Sequence, residues 1–227
     1  MSHTSEVQYR FRIRYAKRGR GAHLSHLEVI HALERTIRRA DVPFATTAGF
    51  SPHMKVSFGP ALAVGVASED EYFDVILTEY VEPADALNRL QEVSSEVLPI
   101  LDCGYVSAQQ PSLNAALNLS QYQAVIERPR TMVTVLPEAI AVEQKDKQKV
   151  FMVKEALSGE VTYSYTDTHT ILEFIIRADP RGTLRPDTLT RFILSQNGID
   201  TATPVEIMRV VTFFEDDQGT WHRPLPQ

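Results

Sequence analysis

At 227 residues, 43% of them apolar and 23% charged, the chain is of ordinary globular composition and long enough for one large core or two of about 100 residues each. No run reaches the ~18 continuous apolar residues of a membrane span, the N-terminus MSHTSEVQYR lacks the apolar stretch of a secretory signal, and the single cysteine, Cys103, excludes an internal disulfide or a cysteine-built metal or iron–sulfur site, so the expected setting is a reducing cytoplasm. The net charge of −6 is segregated: residues 1–56 hold ten Lys or Arg against four acidic residues, a local +6, while the other 171 residues carry −12.

Residues 7–15, VQYRFRIRY, alternate with period two. Val7, Tyr9, Phe11, Ile13 and Tyr15 share one face, and Gln8, Arg10, Arg12 and Arg14 the other, which predicts a half-buried strand. KRGRGA (17–22) predicts a turn. A helix follows, opened by an S-x-x-E capping box at Ser25 and Glu28 with Leu24 and Val29 placed for a hydrophobic staple. Leu27, Ile30, Leu33 and Ile37 are its expected buried stripe. Pro43 closes this region, and a short strand near Phe44–Thr46 leads into the loop AGFSPHMKVSFGPALAVGV (48–66).

EYFDVILT (71–78) is the next alternating strand, Pro83 opens a helix striped by Leu87, Leu90 and Val93, and PILDCGYVS (99–107) is a further strand. Strand, helix, strand, strand, helix, strand is the ferredoxin-like βαββαβ order. Residues 108–120 are small and polar and predict a linker. Beyond it, strands are expected at 121–127, 170–178 and 204–214, with a helix over 185–198 stopped by Asn197–Gly198. VTVLPEAI reads as a short helix and KDKQKVF as a turn running into a strand. The expected fold is therefore α+β, two tandem ferredoxin-like domains (1–107 and 121–227), the second degenerate.

Four groups of residues bear on chemistry. Arg10, Arg12 and Arg14 form a ladder on the strand face turned away from the helices, a platform for phosphates and bases if open, or a set of ion pairs with acids such as Asp74 if not. Lys17, Arg18 and Arg20, with two glycines, make a basic tip, and His31, Arg35, Arg38 and Arg39 lie off the helix's apolar stripe; only Arg38 has an acid four residues earlier, Glu34. No G-x-x-x-x-G-K-[ST] pattern occurs, so ATPase-type phosphate binding is not expected. His23, His26, His31 and His53 lack metal-ligand spacing, so no metal is expected, although His26 or His53 is chemically able to move a proton in RNA cleavage. The 48–66 loop brings Gly49 and Gly59 for unusual or close backbone paths, Phe50 and Phe58 to anchor or stack, and His53 and Lys55 for polar reach.

The series H-L-S-H-L-E, A-L-E-R-T-I-R-R-A, G-F-S-P-H-M-K-V-S-F-G-P-A-L-A-V-G and E-Y-F-D-V resembles the radical-SAM-linked bacterial protein family, strongly over residues 9–106. L-R-P-D and M-R-V-V-T-F-F are similar to its C-terminal pattern. Members occur fused to, or encoded beside, radical S-adenosylmethionine proteins, so the resemblance implies such a protein as partner but no activity. The family loop reads closer to G-F-N-P-R-P-R/K; here Ser51 replaces the amide and His53 a basic residue. The C-x-x-x-C-x-x-C motif of the radical enzymes is absent, so no cofactor is expected on this chain. A looser likeness, in predicted fold and glycine-rich loop, is to the ferredoxin-like CRISPR repeat-processing endoribonucleases.

The expectation that results is a non-catalytic RNA-binding accessory protein for a radical-SAM enzyme, with the loop and the preceding helix as walls of one basic cleft. A metal-independent endoribonuclease using histidine, and a protein–protein adaptor without nucleic acid, are the alternatives.

Overall fold

The computed structural model describes residues 8–127, 132, 136–144, 147–179 and 182–225, which fall into two compact units. Unit 1 is Met1–Leu117 with Arg223–Gln227, and unit 2 is Asn118–His222. The fold is α+β, rich in antiparallel strands with few helices. Among the described residues no helix is long and apolar enough to cross a membrane.

Unit 1 runs β1 (Tyr9–Lys17), a 3-10 turn (Gly19–His23), α1 (His26–Arg39), β2 (Val56–Phe58), β3 (Val66–Leu77), α2 (Pro83–Val93), β4 (Ile100–Tyr105) and the single turn α3 (Leu113–Ala116). β1 lies between β4 and β3, and β2 takes the other edge of β3, all neighbours antiparallel. Phe11, Ile13 and Tyr15 on β1 and Phe73, Val75 and Leu77 on β3 pack with Leu33, Ile37 and Leu90 of the helices into one core. Burying each large side chain contributes about 1.5–3 kcal/mol. Val7, expected in the first strand, lies outside the described residues.

Two local expectations shift. The buried row of α1 is Val29, Leu33, Thr36 and Ile37, not one that begins at Leu27, which is 59% exposed. Positions 29, 33 and 37 follow the i, i+4 row, and Leu27 sits about 200° around the helix from Val29. The segment expected as a linker contains α3, whose Leu113 is fully buried.

Cys103 on β4 faces the core, its Sγ donating to the Pro83 carbonyl at 3.4 Å. Burial, then the neighbouring Asp102 carboxylate, pushes the thiol up to about 12. The thiolate is the reactive form, so iodoacetamide at mildly alkaline pH is expected to label the native protein far more slowly than the urea-unfolded chain. Equal labelling rates for native and unfolded protein would contradict this placement.

Unit 2 runs β5 (Leu119–Glu127), β6 (Ala139–Gln144), β7 (Lys147–Met152), the turn α4 (Val153–Ala156), β8 (Thr162–Tyr165), β9 (His169–Arg177), α5 (Pro186–Gln196), β10 (Val205–Glu215) and β11 (Trp221–His222). β5 lies between β10 and β9, β8 extends the sheet from β9, and β6 pairs with β7 as a separate hairpin. The expected short helix over 133–140 has its first residues outside the described set, and Ala139 and Ile140 belong to β6. Of the KDKQKVF stretch, residues 145 and 146 lie outside it, and 147–151 form β7 as expected.

Candidate functional site

The capping box of α1 forms as its spacing predicts. Ser25 Oγ accepts from the Glu28 N–H at 3.3 Å, and Glu28 Oε2 accepts from the Ser25 N–H at 2.8 Å. The Ser25 hydroxyl, donating to the same carboxylate, holds Glu28 below the usual carboxylate range. The far end is held from α2: the Arg89 guanidinium donates to the Ala40 carbonyl at 2.6 and 2.8 Å and also to the Asp41 carbonyl. Asp41 has φ +52, the left-handed step that ends a helix.

Between α1 and residues 93–98 runs an open groove of about 440 Å³. Its apolar lining includes Leu24, Ala32, Val97 and Leu98, and along it stand His31, Arg35 and Arg39. These three recur at i, i+4 and i+8, so they form one row rising about 6 Å per step. His31 Nδ1 lies 3.8 Å from Glu34. Arg35 and Arg39 are exposed, and among the described residues neither makes an ion pair or a side-chain hydrogen bond. Arg38 points elsewhere, its guanidinium 4.9 Å from the centre of the Phe44 ring.

The basic tip is not a free arm. Lys17 is the last residue of β1 and is buried, its Nζ donating to the Leu24 carbonyl at 2.9 Å. Arg18 pairs with Glu69, which raises its already high pKa. Arg20 stays exposed on the 3-10 turn. Gly21 is required there, because a Cβ would stand 2.6 Å from the Val97 carbonyl oxygen.

The arginine ladder is not an open platform either. Arg12 and Asp74 are each 2% exposed. Arg12 donates to both Asp74 oxygens, at 2.7 and 3.0 Å, and to the Pro224 carbonyl at 2.9 Å. Arg10 donates to Asp74 at 2.7 Å and to the carbonyls of Gln110 and Pro111 at 2.6 and 2.9 Å. Arg14 and Arg223 both approach Asp70, at 3.2 and 2.9 Å, and the Tyr72 hydroxyl donates to the same carboxylate at 2.8 Å. Burial, then the Asp70 charge, raises the Tyr72 pKa. This face of the unit 1 sheet therefore holds a buried ionic network beneath the segments around residues 110–113 and 223–225.

The loop after α1 folds back as a narrow hairpin. The Thr47 N–H donates to the His53 carbonyl at 2.8 Å, the His53 N–H donates to Thr47 Oγ1 at 3.0 Å, and Thr46 bridges Met54. Gly49 takes φ +124 at the turn and Phe50 stands fully exposed at its tip. At the hairpin's foot lies an open pocket of about 400 Å³ bordered by Lys55, Ser57, Ile76, Ser112 and the Arg10–Asp74 pair. Gly59 serves packing: its N–H donates to the Tyr72 carbonyl at 3.1 Å, and a Cβ would press to 3.1 Å from Leu117.

The expected single cleft thus resolves into separate places. His31, Arg35 and Arg39 share the groove; Arg10 and Lys55 share the pocket, with His53 in the hairpin above it. His26 sits edge-on to Phe58 at 5.7 Å, in a narrow recess with Lys17 and Gly59. The two candidate catalytic histidines therefore lie apart, His26 lining the recess and His53 exposed in the hairpin. Sequence reasoning missed Asp70 and Tyr72, although Ser68, Asp70, Tyr72 and Asp74 already repeat with period two. Among the described residues no group of three or more His, Cys, Asp or Glu side chains is arranged to hold a metal.

Residues 10–186 match the family described as an uncharacterized protein conserved in bacteria (DUF2344). The chain belongs to this family. The DUF2344 match takes in the groove, the hairpin and the β1 and β3 members of the buried network in unit 1, but not Arg223 or Pro224, and in unit 2 it ends at the first residue of α5. No curated protein matches the sequence.

Proposed function

We propose that this DUF2344 protein is a non-catalytic RNA-binding accessory of a radical-SAM protein, acting in RNA modification or processing. The observation that carries the reading is the row His31, Arg35 and Arg39 along an open groove, with two guanidinium groups that have no partner among the described residues. Arg38 and Arg39 in the last turn of α1 also suit the negative end of the helix dipole, so an anion at the groove works against that dipole and needs several cations at once. The Arg35 and Arg39 guanidinium groups, about 6 Å apart along the helix with His31 one step before them, meet that need for a chain of phosphates better than for one isolated anion. The radical-SAM partner rests on the family resemblance alone. The same reading takes the two units as tandem ferredoxin-like domains, with the β6–β7 hairpin and α4 of the second in place of a first long helix.

The test is binding of the purified full-length protein to single-stranded RNA across a salt series, with EDTA present and the RNA checked for integrity. Affinity falling steeply with salt on intact RNA is the expected result. Absence of binding at low salt would overturn the proposal and leave the groove as a docking surface for protein; shortened RNA would move the activity to His26 or His53.

A further inference from the structure

We infer that the pocket at the foot of the 47–53 hairpin seats one unpaired nucleobase, while Phe50 stacks on a neighbouring base of the same strand. This rests on the RNA reading above but uses none of the groove residues. Its volume, about 400 Å³, lies in the range of small-molecule sites, roughly 300–1,000 Å³. The lining has the mixture such a ligand needs. Met54, Val56 and Ile76 give an apolar surface, and Thr47, Ser57 and Ser112 bring hydroxyls that both donate and accept. Arg10 is held by Asp74 at 2.7 Å, so its guanidinium offers a fixed edge and not a mobile charge. Lys55, which has no side-chain partner among the described residues, places a cation at the rim for a phosphate.

The hairpin supplies the second observation. An aromatic ring wholly in water at a loop tip has nothing in its own fold to bury it, yet its stem is pinned by reciprocal Thr47–His53 hydrogen bonds. Gly49, at φ +124 and with open space around its Cβ position, allows the backbone to reverse immediately before the ring. A pinned, exposed aromatic on a hairpin whose foot carries a cation and a pocket large enough for a base gives single strands a stacking platform and a phosphate contact, at about 1–3 kcal/mol per stacked base. A duplex keeps its bases stacked inside and presents none to Phe50.

The experiment compares the full-length protein with its Phe50→Ala and Ser112→Leu variants on three probes: a short single-stranded oligoribonucleotide, the duplex of the same sequence, and inorganic polyphosphate. Phe50→Ala is expected to weaken single-strand binding by about 5- to 100-fold. It should leave duplex and polyphosphate binding and the melting temperature unchanged, because Phe50 touches nothing in the fold. Ser112→Leu, which narrows the pocket from an exposed position, should act in the same direction. Single-strand affinity unchanged in both variants would overturn this inference and leave the groove reading standing. If wild-type protein binds none of the probes, both readings fall, and Phe50 becomes an anchor for a protein partner.

Discussion

Asp74→Ala is expected to destabilise the protein by about 3–5 kcal/mol, the largest effect of any single change at this site. Its carboxylate accepts from Arg10 and twice from Arg12, and both it and Arg12 are cut off from water. Removing the acid leaves the Arg12 guanidinium charged, buried and bonded only to the Pro224 carbonyl, and arginine does not escape by losing its proton. With a urea slope of about 1–3 kcal/mol per molar, the midpoint should fall by about 1 M or more. The double variant Arg12→Met with Asp74→Leu should recover most of the loss, since an apolar pair of similar volume carries no unpaired charge. A single variant that unfolds at the wild-type midpoint would show that the pair is neither buried nor coupled. The same reasoning removes Arg12 from any test of ligand binding, because its loss would act through folding.

Arg35→Ala with Arg39→Ala is expected to flatten the salt dependence of RNA binding while leaving the urea midpoint unchanged. Each phosphate contact on a single strand contributes a slope of about −0.7 in log K against log salt, so two lost contacts remove about 1.4. Both side chains are exposed and unpaired among the described residues, so stability has little to lose. Arg38→Ala is the internal control: its guanidinium rests on Phe44, away from the groove, and the slope should stay near wild type. Equal slopes for wild type and the double variant would exclude Arg35 and Arg39 as phosphate contacts. A fall in affinity with an unchanged slope would point to the groove's shape and not its charge.

The two results separate what the arginines of this chain do. On β1 Arg12 is buried and all three arginines are paired with acids, whereas Arg35 and Arg39 on α1 face solvent, although both sets are equally basic in the sequence. The strand alone leaves Arg12 open as a ligand contact or as an ion-pair partner of Asp74, because a period-two strand signals only that its two faces differ. The counter-signal was present in β3, where Asp70, Tyr72 and Asp74 repeat with the same period on the neighbouring strand. Two facing rows of opposite charge foretell pairing whether or not the face is covered.

By itself the sequence determined what depends on a few neighbouring residues. The Ser25–Glu28 box, the Pro83 and Pro186 helix starts, the Asn197–Gly198 stop and the alternation of β1 and β9 all appear where their spacing put them, within about two residues. It also determined the charge division, including the basic row of α1, since i, i+4 and i+8 share a helix face in any fold. Only the tertiary structure decided which surfaces remain accessible. Arg12 meets Asp74 across 62 residues of chain and Pro224 across 212, and the groove beside Arg35 exists because residues 93–98 return to α1. Burial depends on which distant segment comes to lie over a face, and no local spacing carries that information.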